Sequence, residues 1–382
     1  MRVRAADRAS DVEAGRLAQA GVEVLLGTEE EALIEDVELV VKSPGVPAEA
    51  PPIVRARQSR IPVWSEVELG YRLLPGNPLV GVTGTKGKTT TVRLLGRMFE
   101  AAGRAVHLGG NEHTPLSELA FEVAENDWVV CELSSFQLED VHTLSCDVAV
   151  LLNLEPDHLD RHGSFEAYRD MKLRIFERAG VKIARRGLGV GEIEFSAEDP
   201  LPAEPRIPGQ HNRENAAAAT ATARAAGIDD DVIAAALETF PGVPHRLELV
   251  AELDGVRYVN DSKATNVAAA LRGVAAYDAP LRVILGGSSK GESFEPLAHA
   301  LAARAARAYL IGATADELAV ALEAAGVAHE RCGDLATAVR SAVAAARSGD
   351  VILLSPACAS YDQFSNFEER GATFRRLVGE LR

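Results

Sequence analysis

The sequence predicts an α/β protein of three domains, on three observations. At 382 residues the chain is longer than the ~100–200 residues of an ordinary domain. Short apolar runs alternate with segments of helical spacing along its whole length. Two turn-rich stretches, "LPGNP" at 74–78 and "FPGVPHR" at 240–246, interrupt that alternation. The expected domains are therefore 1–75, 76–242 and 243–382.

In the first domain "VRAAD" and "VEVLLG" read as strands around a helix through Arg16 to Gln19, and "VELVVKSPGVP" and "IPVWSEVELGYRLL" add further strands and a helix, in a parallel α/β pattern. The second opens with "VGVTGTKGKTTTV" at 80–92, where an apolar run from Leu79 to Val82 enters a Gly-rich turn and helical spacing follows from Thr89 to Phe99. Strands follow at "WVVCEL" and "VAVLLNL", with helices at Glu166 to Arg178 and Asn212 to Ala226. The third alternates "RYVNDS", a helix from Asn266 to Ala276, "LRVILGG", an Ala-rich helix from Ala298 to Ala308, "RAYLIGA", "DVILLSPA" and a C-terminal helix. No internal repeat is present.

Composition excludes several functions. The 56 acidic residues against 40 basic ones, a net charge of −16, argue against a general binder of nucleic acid or anionic membrane. Cys131, Cys146, Cys332 and Cys358 lack CxxC spacing, which suggests neither a zinc site nor a disulfide framework and fits reduced thiols in the cytoplasm. No apolar run approaches the ~20 residues of a membrane span, and "MRVRAADRAS" lacks the apolar core of a signal peptide. Only seven lysines occur, at 42, 86, 88, 172, 182, 263 and 290, and five of them lie in the motifs below. A chain that otherwise uses arginine retains lysine where a compact charge or a deprotonatable amine is needed.

The turn Gly84, Thr85, Lys86, Gly87, Lys88, Thr89 and Thr90 is a phosphate cradle. Successive backbone N–H groups and a helix N-terminus converge on an anion, Lys88 adds a mobile charge, and the Thr89 hydroxyl suits Mg²⁺. The general P-loop has glycine where this chain has Val82, so the loop is a variant, and its ligand is expected to be a nucleoside triphosphate. Glu132 ends an apolar strand, where open α/β sheets present ligand-binding groups, and fits a second Mg²⁺ ligand. A further apolar strand runs into Asp157, His158, Asp160, Arg161 and His162, followed by a helix with Lys172. Asn212 and Asn215 share a helix face near its start, where amides could read a base edge, while Asn212 equally suits a helix cap. If the third-domain strands are parallel, Asp261, Lys263, Lys290 and Ser360 converge on one sheet edge, where two lysines and hydroxyls suit a substrate with carboxylates.

In this order the motifs resemble the Mur ligase family over nearly the whole chain, and "DSKATN" with "SPACASYDQF" is similar to its D-glutamate-adding branch. The resemblance implies a Rossmann-like N-terminal domain, a P-loop-type ATPase domain and a Rossmann-like C-terminal domain in a cytoplasmic monomer. It implies an ATP- and Mg²⁺-dependent amide ligase of peptidoglycan precursor synthesis. The carboxylate of UDP-N-acetylmuramoyl-L-alanine is activated as an acyl phosphate and attacked by the amine of D-glutamate. A homologue that binds nucleotide without ligating is the alternative.

By the same resemblance, Lys88 neutralises the transferring phosphoryl group, Thr89 and Glu132 hold Mg²⁺, and His158 assists at a second Mg²⁺. Lys172 is carbamylated, which requires a neutral amine and hence a depressed pKa. Asn215 contacts adenine, Arg246 the phosphate region and Asp261 the ribose. Lys263, Thr265, Lys290, Ser360, Tyr361 and Phe367 form the D-glutamate site, with Tyr361 standing where the family often has an aliphatic residue. Asp7, Arg8, Ser43 and Asn111 face the UDP-sugar. Nucleotide contacts on two domains imply that the third closes over the second. Two departures are expected to matter. The chain begins at about the family's second strand, through a start codon assigned too late or a pared-down domain, and this would leave a sheet edge unpaired. It is also short between Glu177 and Gly209.

Overall fold

The computed structural model describes every residue except Met1, Lys290, Ala305 and Arg382. The chain divides into two compact units, Met1–Ser196 with Ala221–Ile228, and Ala197–Thr220 with Asp229–Arg382.

The first unit opens with two small parallel sheets. β1 (Arg4–Asp7) pairs with β2 (Glu23–Leu26), and β3 (Val40–Lys42) pairs with β4 (Val63–Ser65). The helix Pro51–Gln58 starts on prolines, whose missing N–H groups cost nothing at that position, and buries Ile53 and Ala56 against Ile34, Ala50 and Val63. Ser65 caps the next helix, Glu66–Leu73, its hydroxyl accepting from Glu68 N at 3.2 Å.

The main sheet of this unit contains β5 (Leu79–Thr83), β6 (Val106–Gly110), β7 (Trp128–Glu132), β8 (Val148–Leu151), β9 (Val181–Arg185) and β10 (Ile193–Phe195) in the order β10-β9-β8-β5-β7-β6, all parallel. All five residues of β5 are buried, which explains an apolar run without alternation. The strand order reverses at β5, flanked by β7 on one side and β8 on the other, so its carboxyl end opens at a topological switch point. From there the helix Lys88–Ala101 buries Leu94, Leu95, Met98 and Phe99. The helix expected over 166–178 ends earlier, at Leu173, and tightens into a 3₁₀ turn over Arg174–Phe176.

The second unit is built on one sheet of β11 (Glu248–Leu253), β12 (Val256–Asn260), β13 (Leu281–Gly286), β14 (Arg307–Ile311), β15 (Ala328–Gly333) and β16 (Val351–Leu354). Its order is β11-β12-β16-β13-β14-β15, parallel except for the β11–β12 hairpin. Alternate residues feed two cores, Val259, Val283, Leu285, Leu310 and Leu353 on one face, Tyr258, Ile284, Tyr309, Ile352 and Leu354 on the other. The edge strands β11 and β15 escape a search for apolar runs because both are short and carry several polar residues, Glu248 and Glu252 in one and His329, Glu330 and Arg331 in the other. The Ala-rich helix expected to reach Ala308 spans Glu295–Ala303 instead. Alanine favours helix everywhere in this run, but burial of Ala308 in β14 takes precedence over local propensity. Asn266 and Asn366 cap the helices Val267–Ala275 and Phe367–Gly379 through their side-chain oxygens. Among the described residues no helix is long and apolar enough to cross a membrane.

Candidate functional site

The phosphate loop leaves β5 through two glycines in conformations other residues avoid. Gly84 has φ 156°, and a Cβ there would lie 2.9 Å from Leu152 Cβ; Gly87 is left-handed at φ 85° and opens the helix. The segment after β8 braces the loop: Thr85 N donates to Asn153 O at 3.1 Å, Lys86 N to Asn153 Oδ1 at 2.9 Å, and Asn153 Nδ2 to Lys86 O at 3.1 Å. The Thr85 hydroxyl lies 2.9 Å from the Tyr168 hydroxyl, and Lys86 pairs with Glu155. Lys88 folds over its own loop, its amine donating to Gly84 O at 3.0 Å and Thr85 O at 3.1 Å. Thr89 is buried in the first helical turn and Thr90 is half-buried.

Two buried ionisable groups stand at the same sheet edge. Glu132 ends β7 and is 1% exposed; its Oε1 accepts from Asn111 Nδ2 at 3.3 Å, while Oε2 has no hydrogen-bond partner. Lys172 is 2% exposed, its amine donating to Gly84 O at 2.9 Å and lying 4.9 Å from the centre of the Tyr168 ring. Burial, then the nearby Lys88 charge, lowers its pKa to about 7, the direction that a reactive amine requires. His158, left-handed at φ 50°, begins the short helix Leu159–His162; its Nε2 is 3.7 Å from Asp157 Oδ2 and its ring packs on Phe136. The His162 ring stacks on Phe136 and its Nε2 is 3.0 Å from Ser135 Oγ. Arg161 Nη2 donates to Val46 O at 2.8 Å.

A carboxylate oxygen that accepts no hydrogen bond, with His113 Nε2 3.8 Å away, and a buried hydroxyl are hard donors of the kind Mg²⁺ takes. Among the described residues no group of three or more His, Cys, Asp or Glu is placed to hold a metal. The chemistry of this donor set suits an ion that completes its shell with phosphate oxygens and water.

Of the N-terminal candidates, Asp7 and Arg8 lie exposed at the end of β1 and Ser43 exposed at the end of β3; Asp7 Oδ1 accepts from Ala9 N at 2.8 Å. In the second unit, parallel pairing of β12, β16 and β13 brings the segments after them to one edge, as expected. Asp261 is buried there, with Oδ2 accepting from Ser355 Oγ at 2.7 Å and Oδ1 from Leu247 N at 3.2 Å; burial raises its carboxyl pKa to about 7. Arg246 is half-buried between His245 and Leu247, both at positive φ. The Lys263 amine lies 5.1 Å from the Phe367 ring, Thr265 is half-buried, Ser360 is buried, and Tyr361 is 75% exposed. Lys290 lies outside the described residues. Asn215 is buried. Asn212 does not cap its helix, which starts at Gln210; its amide donates to Pro208 O at 2.7 Å. Sequence reasoning missed Tyr168 and Asn153. Tyr168 stands four residues before Lys172 on the same helix face, a spacing that could have revealed it.

A glycine cradle at a sheet switch point, with a buried carboxylate and a near-neutral lysine beside it, defines a phosphate-binding α/β protein. Residues 82–185 match the Mur ligase middle domain and 245–358 the Mur ligase glutamate ligase domain. UDP-N-acetylmuramoylalanine–D-glutamate ligase of Thermoanaerobacter pseudethanolicus is 39% identical over 401 residues, covering 94% of this chain and 88% of that protein. The Myxococcus xanthus protein of that name is 41% identical over 390 residues, covering 91% and 86%. The chain belongs to the Mur ligase family. Solved structures share its fold at low identity: UDP-N-acetylmuramate–alanine ligase of Thermotoga maritima at TM-score 0.63 and 18% identity, covering 100% of this chain and 94% of that one, and the Thermotoga maritima MurF ligase in complex with ADP at 0.61 and 16%, covering 90% and 95%.

Proposed function

We infer that the protein is an ATP-dependent amide ligase that joins D-glutamate to UDP-N-acetylmuramoyl-L-alanine in peptidoglycan precursor synthesis. Relatives at about 40% identity over most of the chain support the reaction. The observation that carries the local chemistry is the buried Lys172 amine, bonded to the phosphate loop at Gly84 and with its pKa lowered to about 7.

In this reading the loop amides from Gly84 to Thr90 hold the triphosphate, and Lys88 leaves its own carbonyls for the transferring phosphoryl group. Thr89 and Glu132 would hold Mg²⁺, which supplies charge neutralisation on phosphate oxygens when bound. His158 assists at a second metal position. Lys172, uncharged in a large fraction of molecules, takes up CO₂ as a carbamate that offers an anionic oxygen where an ammonium would repel a cation. Asn215, Arg246 and Asp261 serve adenine, phosphate and ribose. Asp7, Arg8, Ser43 and Asn111 receive the UDP-sugar, and Lys263, Thr265, Lys290, Ser360, Tyr361 and Phe367 receive D-glutamate. We assign these tasks to domains 1–75, 76–242 and 243–382 of a cytoplasmic monomer.

The test is ATP-dependent phosphate release by the purified chain with UDP-N-acetylmuramoyl-L-alanine and D-glutamate, L-glutamate or no amino acid. Release that requires D-glutamate supports the reading; release indifferent to the amino acid, or none, overturns it.

A further inference from the structure

The loops assigned to the acceptor amino acid share one hidden partner. Arg370, on the helix Phe367–Gly379, is 1% exposed and uses its whole guanidinium fork. Nε donates to Ser262 Oγ at 3.0 Å and Nη2 to Ser262 O at 2.8 Å, so one edge grips the loop between Asp261 and Lys263. Nη1 and Nη2 each donate to Cys358 O at 3.1 Å, and Nη1 also to Ala359 O at 3.2 Å, so the other edge grips the residues leading into Ser360. The Ser262 hydroxyl in turn donates to Phe367 O at 2.8 Å, tying in the helix start. Ser288 N donates to Ala359 O at 2.9 Å, and a Cβ at Gly287 would lie 3.2 Å from Arg370 Nη1, so the loop toward residue 290 abuts the same centre.

The four acceptors of these five bonds are neutral, and among the described residues no carboxylate lies within ion-pair distance of this guanidinium. Burial lowers its pKa to about 10, which leaves it a cation at neutral pH. Asp362, which accepts from Ala313 N at 2.9 Å, acts on it only through space. A buried charge is costly to hold, and here carbonyl and hydroxyl oxygens satisfy its donors without a direct ion pair.

We propose that Arg370 is the positioning residue of the acceptor site: it fixes the segments at Ser262 and Cys358–Ala359, and through Ala359 the loop at Ser288, around a dicarboxylate amino acid and, by a buried charge with no direct ion-pair partner, favours that class of acceptor over neutral ones. This rests on the acceptor-site assignment above.

The test measures kcat and KM for each substrate in the full chain with Arg370→Met, Arg370→Lys and Ser262→Ala. Arg370→Met is expected to raise the KM for D-glutamate about tenfold or more, equivalent to ~1.4 kcal/mol, with KM for ATP and UDP-N-acetylmuramoyl-L-alanine held within about twofold. It also narrows the preference for D-glutamate over D-glutamine, and Arg370→Lys, which restores charge without the fork, recovers part of that preference. Ser262→Ala removes one bond of the five and shifts the same KM more weakly, providing the readout should Arg370→Met fail to fold. Unchanged D-glutamate KM in the folded variants, or an equal rise in all three KM values, overturns the proposal while an active wild type leaves the ligase reading standing. A wild type without D-glutamate-dependent turnover overturns the ligase reading and this inference together.

Discussion

Lys172 shows how one buried side chain can serve activity at the expense of stability. Its folded pKa of about 7 lies below the ordinary 10.5, so between those values the unfolded chain binds more protons than the native one. Stability therefore rises with pH across that window, and at neutral pH the residue costs folding free energy. Lys172→Met is expected to abolish ligation while raising Tm by about 2 °C or more at pH 7, with a gain that shrinks toward pH 10. Calorimetry at several pH values checks the sign, and an unchanged or lower Tm at pH 7 refutes it. Activity in bicarbonate-depleted buffer is expected to fall, and to fall further below pH 7, where the ammonium form dominates. Equal activity with and without CO₂, together with an unmodified Lys172 by mass spectrometry, would remove the carbamate from the mechanism.

At the scale of elements, the helix Glu66–Leu73 is fastened to the segment 142–144 by one carboxylate. Glu68 is wholly buried and accepts from the backbone of His142, Thr143 and Leu144, the Thr143 hydroxyl and Arg72 Nε. Burial works against ionisation, but the hydrogen bonds from Thr143, His142 and Arg72 prevail and hold the pKa at about 2. A depressed carboxylate contributes fully above its ordinary pKa of 4.5 and loses that contribution as pH falls toward 2. Glu68→Gln is expected to cost about 2 kcal/mol at pH 7 and less at pH 3, as read by urea unfolding. The phosphate loop is similarly specified: Gly84→Ala meets both a forbidden φ and Leu152, and is expected to weaken ATP binding in calorimetric titration at least tenfold.

Across the whole molecule, each of the two units contains hydrophobic clusters of its own, and both tryptophans, Trp64 and Trp128, belong to the first unit. Tryptophan fluorescence therefore reports unfolding of the first unit, while far-ultraviolet circular dichroism reports both. If each core melts on its own, the two urea transitions will differ in midpoint; coincident transitions at every pH would show that the units unfold as one. The family relationship is equally a whole-chain property, since matched regions occur in both units.

The phosphate loop, the strand-end Glu132 and the polar run from Asp157 to His162 were legible in order along the chain because backbone conformation and sheet edges leave local signatures of glycine, apolar runs and turn residues. The parallel sheets followed from the same periodicity, and with them the convergence of Asp261, Lys263 and Ser360. Edge strands with mixed patterning were not legible, nor was the end of an alanine-rich helix, because pairing and burial decided them. Only the tertiary structure identified Arg370 as the bracket between the segments at Ser262 and Cys358 and Glu68 as the anchor of a helix, and only it lowered the Lys172 pKa to about 7. Hydrogen-bond partners distant in sequence and the loss of water around a charge are consequences of packing, and they determine what an arginine, a glutamate or a lysine does once it is buried.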